Sequence, residues 1–426
     1  MHPLKTFYGA ALLFLSFGIS GAQNRLSLET ALELALNQNP RITAAKREIE
    51  AASARVLQAE AIPNLEFGIS WSETPSNFSL GKAGERSIGF VQPMTFPGKR
   101  RANRDLARTE VRALEVNLRR TTTLISAEVK RAYLQVWLNQ KMLGNLEEIL
   151  ELLRQFQETA TIRYQAQKVP YLEVLRAKTE RAKINNNIIN AKRELENSKA
   201  ELNSLLGWPG SKIIQLSDDF PYQPFAMPLS SVIEERTQKS DARKLVEVLV
   251  LRGEAQMRLA RKSYLPDFSI GLFNQSLIEQ PPFNANRFYG VKESGKWQID
   301  IGVSIPLWHW KKPKGEVQEA KASLGLAQLQ YETYQRISTT AIENAYRSVK
   351  AAEDQVQLYE SSLLRDVEDA LRTGVIHYQT DKIDALNLID LYRTFSETKS
   401  EYYRALFNYQ IALADLQVAG ETIAQP

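Results

Sequence analysis

From Leu26 the apolar residues follow a helical period, with Leu28, Ala31, Leu32 and Ala35 on one face. The period breaks at Asn39-Pro40, where Asn39 can cap and Pro40 can open a second helix running to about Ala61. After Pro63 the period drops to two. Leu65, Phe67, Ile69 and Trp71 alternate with Glu66, Gly68, Ser70 and Ser72, which predicts a strand with one apolar face. A loop rich in Ser, Gly and Asn follows, then a second strand over roughly Arg86–Pro93 that carries Ile88 and Phe90. Pro97-Gly98 opens a helical pattern of about 70 residues. Val111, Leu114, Leu118, Thr121, Ile125, Val129, Ala132 and Val136 step by three or four with a mean of about 3.5, the spacing of a supercoiled helix. The chain turns at Lys168-Val169-Pro170 and returns to Leu206, where Gly207 is a suitable terminator.

The same order is then written again. Tyr164, Gln165, Lys168 and Leu172 come back as Tyr378, Gln379, Lys382 and Leu386, displaced by 214, and Val169 returns as Ile383. Ala132, Tyr133 and Val136 recur as Ala345, Tyr346 and Val349 at 213, as does Pro93 in Pro306, while Pro63 recurs as Pro266 at 203. A unit of about 200 residues therefore occurs twice, and repeats of this kind fix an architecture. The expected divisions are a signal sequence at 1–22, a first unit at 23–207, a Pro-rich linker at 208–228, a second unit at 229–420 and a tail at 421–426. Within the second unit the pattern predicts helices at 229–263, a strand near 266–276, a loop at 277–295, a strand at 296–306 and helices at 313–377 and 381–418.

A helix of about 65 residues is roughly 100 Å long. Such a rod spans something. Strands of about ten residues suit a tilted membrane crossing. Their alternation sets Trp297, Ile299, Ile301, Val303 and Ile305 against Gln298, Asp300, Gly302 and Ser304. An antiparallel sheet on a soluble core alternates in the same way, but export and the long helices favour an outer-membrane barrel. Four strands cannot close, and open edges in lipid leave backbone groups unsatisfied at several kcal/mol each. Two copies would give eight strands around a filled interior; three would give twelve and a lumen.

Composition narrows the chemistry. Residues 1–22 read as a secretory signal, with Lys5 at the start, an apolar run from Ala10 to Ile19, and Ser20-Gly21-Ala22 at the cleavage site. Cysteine is absent, which excludes disulfides, thiolate metal sites, cysteine nucleophiles and a lipid anchor at the new N-terminus. Net charge is +5 on 54 basic and 49 acidic residues, too balanced for a nucleic-acid binder. There is no G-x-S-x-G, H-E-x-x-H or Walker motif, so the chain reads as a non-enzyme without a cofactor.

An exported chain with this duplicated unit resembles the TolC family of outer-membrane efflux and secretion channels. The carrying pieces are AIPNLEFGIS and YLPDFSIGLF at the first strands, VQPMTFPGKRRANRDLA after the second, and RYQAQKVPYLEVLRA at a hairpin tip. The resemblance covers essentially residues 26–420. It implies an α+β membrane protein: a homotrimer with a twelve-stranded outer-membrane barrel, four strands per protomer, continued by a helical coiled-coil tunnel in the periplasm. It also implies partners, namely a periplasmic adaptor and an inner-membrane pump of the RND type. The PGKR run is similar to the subgroup serving cobalt–zinc–cadmium exporters. Alternatives are a type I secretion channel, or a periplasmic coiled-coil scaffold with no pore. One departure stands out: the glycine usual at the hairpin tips is Gln167 in the first unit and Asp381 in the second.

Candidate residues follow. The resemblance places acidic gate residues just past the second tip, at Asn387 and Asp390, of which Asp390 alone keeps the carboxylate. Three copies on one axis would repel one another and attract cations. Asp381, Asp384 and Glu173 are further gate candidates, although Asp in a first turn is favourable for local reasons too. Gln167, Lys168, Val169, Pro170, Lys382 and Ile383 form the expected adaptor-docking tips. Lys99, Arg100, Arg101 and Arg104, with Lys311, Lys312 and Lys314, put positive charge at two helix starts, where the dipole disfavours it. Contact with outer-membrane lipid phosphates explains them, as does a solvated collar. Trp308 and Trp310 suit an interfacial aromatic belt. His309 and His377 are isolated histidines, and neither suggests a metal site.

Overall fold

The computed structural model describes residues 25–72, 80, 85–278, 293–305, 311–421 and 423. The expected signal sequence, and Trp308, His309 and Trp310, lie outside them. Ser27 caps α1 (Leu28–Gln38) through a bond from Thr30 N–H, and Asn39 caps α2 (Pro40–Glu60) with Pro40 in its first turn. Strands β1 (Glu66–Ser72) and β2 (Glu85–Met94) lead into α3 (Pro97–Gln165), which returns as α4 (Tyr171–Leu205). Gly207, at φ 73°, ends α4 as expected. The second pass comprises α5 (Leu229–Lys239), α6 (Asp241–Lys262), β3 (Asp267–Ile278), β4 (Glu293–Ser304), α7 (Lys311–Leu358), α8 (Leu364–Gln379) and α9 (Ala385–Val418).

Element ends differ from the sequence reading at three places. The strands reach further into the segment expected as a loop at 277–295, to Ile278 on one side and from Glu293 on the other. The last helix starts at Ala385, not 381, because Asp384 caps it and the residues before it form the tip. The helix expected at 313–377 extends from Lys311 to Gln379, with a π-turn at Tyr359–Leu363 between α7 and α8.

All four strands join one antiparallel sheet in the order β1-β2-β3-β4. Cross-strand rows put Phe67, Phe90, Leu272 and Ile299 on one face, next to Ile69, Ile88, Ile270 and Ile301. Among the described residues nothing covers this face: Trp297, Ile299 and Ile301 are 72%, 70% and 75% exposed. The other face mixes polar side chains and glycines with Val91, Pro93 and Phe273, and the Phe273 ring lies over Gly89 and Gly271. A Cβ at Gly89 would sit 2.5 Å from Phe273 Cδ1 and 2.7 Å from its Cα, so this row needs glycine.

Each strand continues into a helix, so the helices keep the order of the sheet. Beneath it α2 packs on α3, α3 on α6 and α6 on α7; lower down α4 packs on α3, α3 on α9 and α9 on α8. The molecule is thus a curved layer whose edges are α2 and α4 on one side, α7 and α8 on the other. At mid-height the segment between α4 and α5 crosses the helices and is bonded to them. Trp137 Nε1 donates to Asp219 (3.0 Å), Tyr409 OH to the Gln223 carbonyl (2.6 Å) and Phe225 N–H to Glu353 (2.8 Å). One apolar cluster lies beneath this strap around Trp137, Val349 and Tyr409, and another at the tips around Phe156, Tyr378 and Tyr392.

Candidate functional site

The two hairpin tips share one backbone solution. At the end of α3 Lys168 N–H bonds the Arg163 carbonyl and Gln167 N–H bonds that of Tyr164; at the end of α8 Lys382 N–H bonds His377 and Asp381 N–H bonds Tyr378. This six-to-one closure needs a left-handed residue, usually glycine. Gln167 and Asp381 both adopt it at φ 59°. The loss of glycine therefore leaves the tip conformation unchanged and adds side chains to it.

Those side chains tie one tip to the other. Arg163 in the last turn of α3 pairs with Asp381, bonds the Tyr378 carbonyl and stacks 4.6 Å from the Tyr378 ring centroid. Tyr378 is 2% exposed, and its hydroxyl donates to Glu173 at 2.7 Å. Burial, then the Glu173 carboxylate, push its phenol well above the ordinary range, so it remains a donor. Its repeat counterpart Tyr164 is instead exposed against Tyr171. Higher up, Arg393 on α9 makes two bonds to Glu180 on α4, at 2.7 and 2.6 Å. These bonds hold the Glu180 carboxyl below its ordinary value.

The other candidates divide. Asp384 accepts the Asn387 N–H at 3.0 Å and is a helix cap. Asp390 is exposed on α9, and its charge adds to that of Glu180, the main cause that holds the Arg393 guanidinium above its ordinary value. Gln167, Lys168, Pro170 and Lys382 are exposed, whereas Val169 and Ile383 are half-buried, Ile383 against the tip cluster. His377 sits half-buried in the last turn of α8. Among the described residues no group of three His, Cys, Asp or Glu side chains could hold a metal ion.

At the junction of sheet and helices the basic cluster also divides. Lys99 is not free for lipid: it pairs with Asp267 at 2.8 Å, and the same carboxylate accepts Phe96 N–H at the start of α3. Asp267 thus supplies the negative charge that this helix start favours. Arg104 faces Glu60 at 3.7 Å. Arg100, Arg101, Lys311, Lys312 and Lys314 are exposed. Arg163, Tyr378 and Asp267 were not singled out from sequence for these roles; only Tyr378 carried a signal, as a member of the repeat.

Comparison with known proteins agrees with this geometry. The outer membrane efflux protein family matches residues 31–208 and 246–420. Over 400 residues the chain is 22% identical to the cobalt-zinc-cadmium resistance protein CzcC of Cupriavidus metallidurans, covering 94% of this chain and 91% of that one. The fold resembles the CmeC outer membrane channel of Campylobacter jejuni, with a TM-score of 0.75 and 15% identity over 92% of this chain and 85% of that one. It also resembles the open state of the Neisseria gonorrhoeae MtrE outer membrane channel, at 0.69 and 18% over 92% and 88%. With both passes of the fold matched, the chain belongs to the outer membrane efflux protein family.

Proposed function

We propose that three copies close into an outer-membrane duct, the exit of a tripartite efflux system with a periplasmic adaptor and an inner-membrane pump of the RND type. The observation that carries this is the sheet: an exposed apolar face with both edge strands, β1 and β4, lacking an outer neighbour among the described residues. In lipid such edges must pair, and pairing β1 of one copy with β4 of the next gives closure. The helical edges support it, since Leu57 on α2 and Ile189 on α4 are 71% and 68% exposed on one side and Leu329 and Leu358 on α7 are 60% and 57% exposed on the other. A soluble scaffold has no use for the apolar face. Mass measurement in detergent should give three copies; a monomer that still conducts would overturn the closure argument.

The tips form the periplasmic entrance. Tyr378–Glu173 and Arg163–Asp381 hold the two hairpins together, Asp390 contributes a ring of carboxylates, and Gln167, Lys168, Pro170 and Lys382 face the adaptor. Asp390→Ala should weaken cation preference and block by multivalent cations in planar bilayers; unchanged selectivity would move the constriction elsewhere. Arg100, Arg101, Lys311, Lys312 and Lys314 meet lipid phosphates at the rim. The likeness to a cobalt-zinc-cadmium resistance protein supports divalent heavy-metal cations as cargo. A deletion strain should then become sensitive to cobalt, zinc and cadmium while its sensitivity to hydrophobic drugs stays unchanged; the reverse pattern would assign the duct to a drug pump.

A further inference from the structure

The two long helices are copies in sequence but not in conformation. α3 runs unbroken from Pro97 to Gln165, whereas its counterpart is interrupted by the π-turn at Tyr359–Leu363. The repeat shows why. Ala132, Tyr133 and Val136 recur 213 positions later, but Tyr164 and Gln165 recur 214 positions later. Buried positions keep the same two displacements: Val129 corresponds to Ile342, and Ala160 to Gly374. One residue has been added between Val349 and Gly374, and the π-turn lies inside that window. A helix absorbs a single extra residue as one wide turn, here closed by Leu364 N–H on the Tyr359 carbonyl. The phase is thereby kept on both sides. Val349 still faces the mid-height cluster, and Tyr378 still reaches Glu173.

The turn lies where the protomer holds this helix least. From Gln357 to Ala370 none of its residues is buried, whereas the corresponding stretch of α3 buries Asn145, Ile149, Leu153 and Phe156. Just above, Gln357 is tied to the strap through Tyr222 OH at 2.6 Å. At the turn itself two crossed bonds reach α9: Tyr359 OH donates to Glu401 at 3.1 Å, and Tyr402 OH donates to Glu360 at 2.8 Å. Both are solvent-facing and easily exchanged for water.

We propose that the inserted residue makes the π-turn a hinge, about which α8 tilts away from α9 at the second tip while α7 stays seated, and that the crossed Tyr359–Glu401 and Glu360–Tyr402 bonds to α9 are its catch. A weakly packed turn between two well-packed segments is the place where a helix bends at least cost. This rests on the reading of the tips as a channel entrance.

The test is Tyr359→Phe/Tyr402→Phe in the full trimer, which keeps both rings and removes both donors. Hydrogen exchange of amides 359–366 should become roughly tenfold faster, with α3 amides 146–152 unchanged. Open events in planar bilayers should become several-fold more frequent, roughly in proportion. Tyr346→Phe, whose hydroxyl bonds the Met227 carbonyl at 3.3 Å, is the control outside the turn. Unchanged exchange overturns the catch, and faster exchange with unchanged gating in a conducting protein overturns the hinge. An inserted wild type that never conducts overturns the channel reading instead, and exchange alone then decides the catch.

Discussion

A buried tyrosine and two left-handed residues concentrate the chemistry of the tips. Tyr378→Phe removes the donor to Glu173 and should cost about 1 kcal/mol. If that bond helps to hold the entrance, conductance should also rise; bilayer recordings beside thermal melts would separate the two effects. Gln167 and Asp381 occupy the same strained conformation, but only Asp381 also pairs with Arg163. Gln167→Gly should therefore stabilise the protein by about 1 kcal/mol, seen as a raised Tm, while Asp381→Gly should not. Equal gains would mean that the Arg163 pair contributes nothing. Glu180 gives a pH signature. Its carboxyl is held below the ordinary value of 4.5 by Arg393, so the folded state binds its proton less readily than the unfolded chain. The pair's contribution is complete above the ordinary value and is lost as pH falls through the lower folded one. The difference in Tm between wild type and Glu180→Gln should shrink as pH falls below that ordinary value, whereas a difference independent of pH would contradict the assignment.

Helices and strands were legible because each is long enough for its period to dominate. Seven apolar positions and Thr121 at a mean spacing of about 3.5 marked α3, and the alternation from Trp297 to Ile305 marked β4. Endpoints were less legible where a side chain decided them, as Asp384 does at α9. The hairpin tips were legible only in outline. Asp390 and Glu173 carry charge that a sequence displays, but the cage around Tyr378 depends on Arg163 and Asp381, more than 200 positions apart, meeting across two hairpins. At this scale Gly89→Ala should be the most damaging small change in the sheet, because Phe273 leaves no room for a Cβ. Heat-resistant oligomer on gels should fall sharply. Normal assembly would show that β2 and β3 can separate at that row.

For the whole molecule, Leu57→Asp or Leu329→Asp places charge on opposite edges of the curved layer. If three copies close the barrel, either should shift the mass in detergent from three copies towards one while helix content by circular dichroism stays unchanged. Loss of helix together with mass would mean that these residues stabilise the protomer instead. The unpaired sheet edges also govern what happens before assembly. A lone copy in transit presents a flat row of free amides and carbonyls beside Trp297, Ile299 and Ile301, a surface that templates indiscriminate strand addition. Such a chain is an aggregation hazard for as long as it waits. Its yield should therefore rise with the speed at which copies find one another and pair those edges.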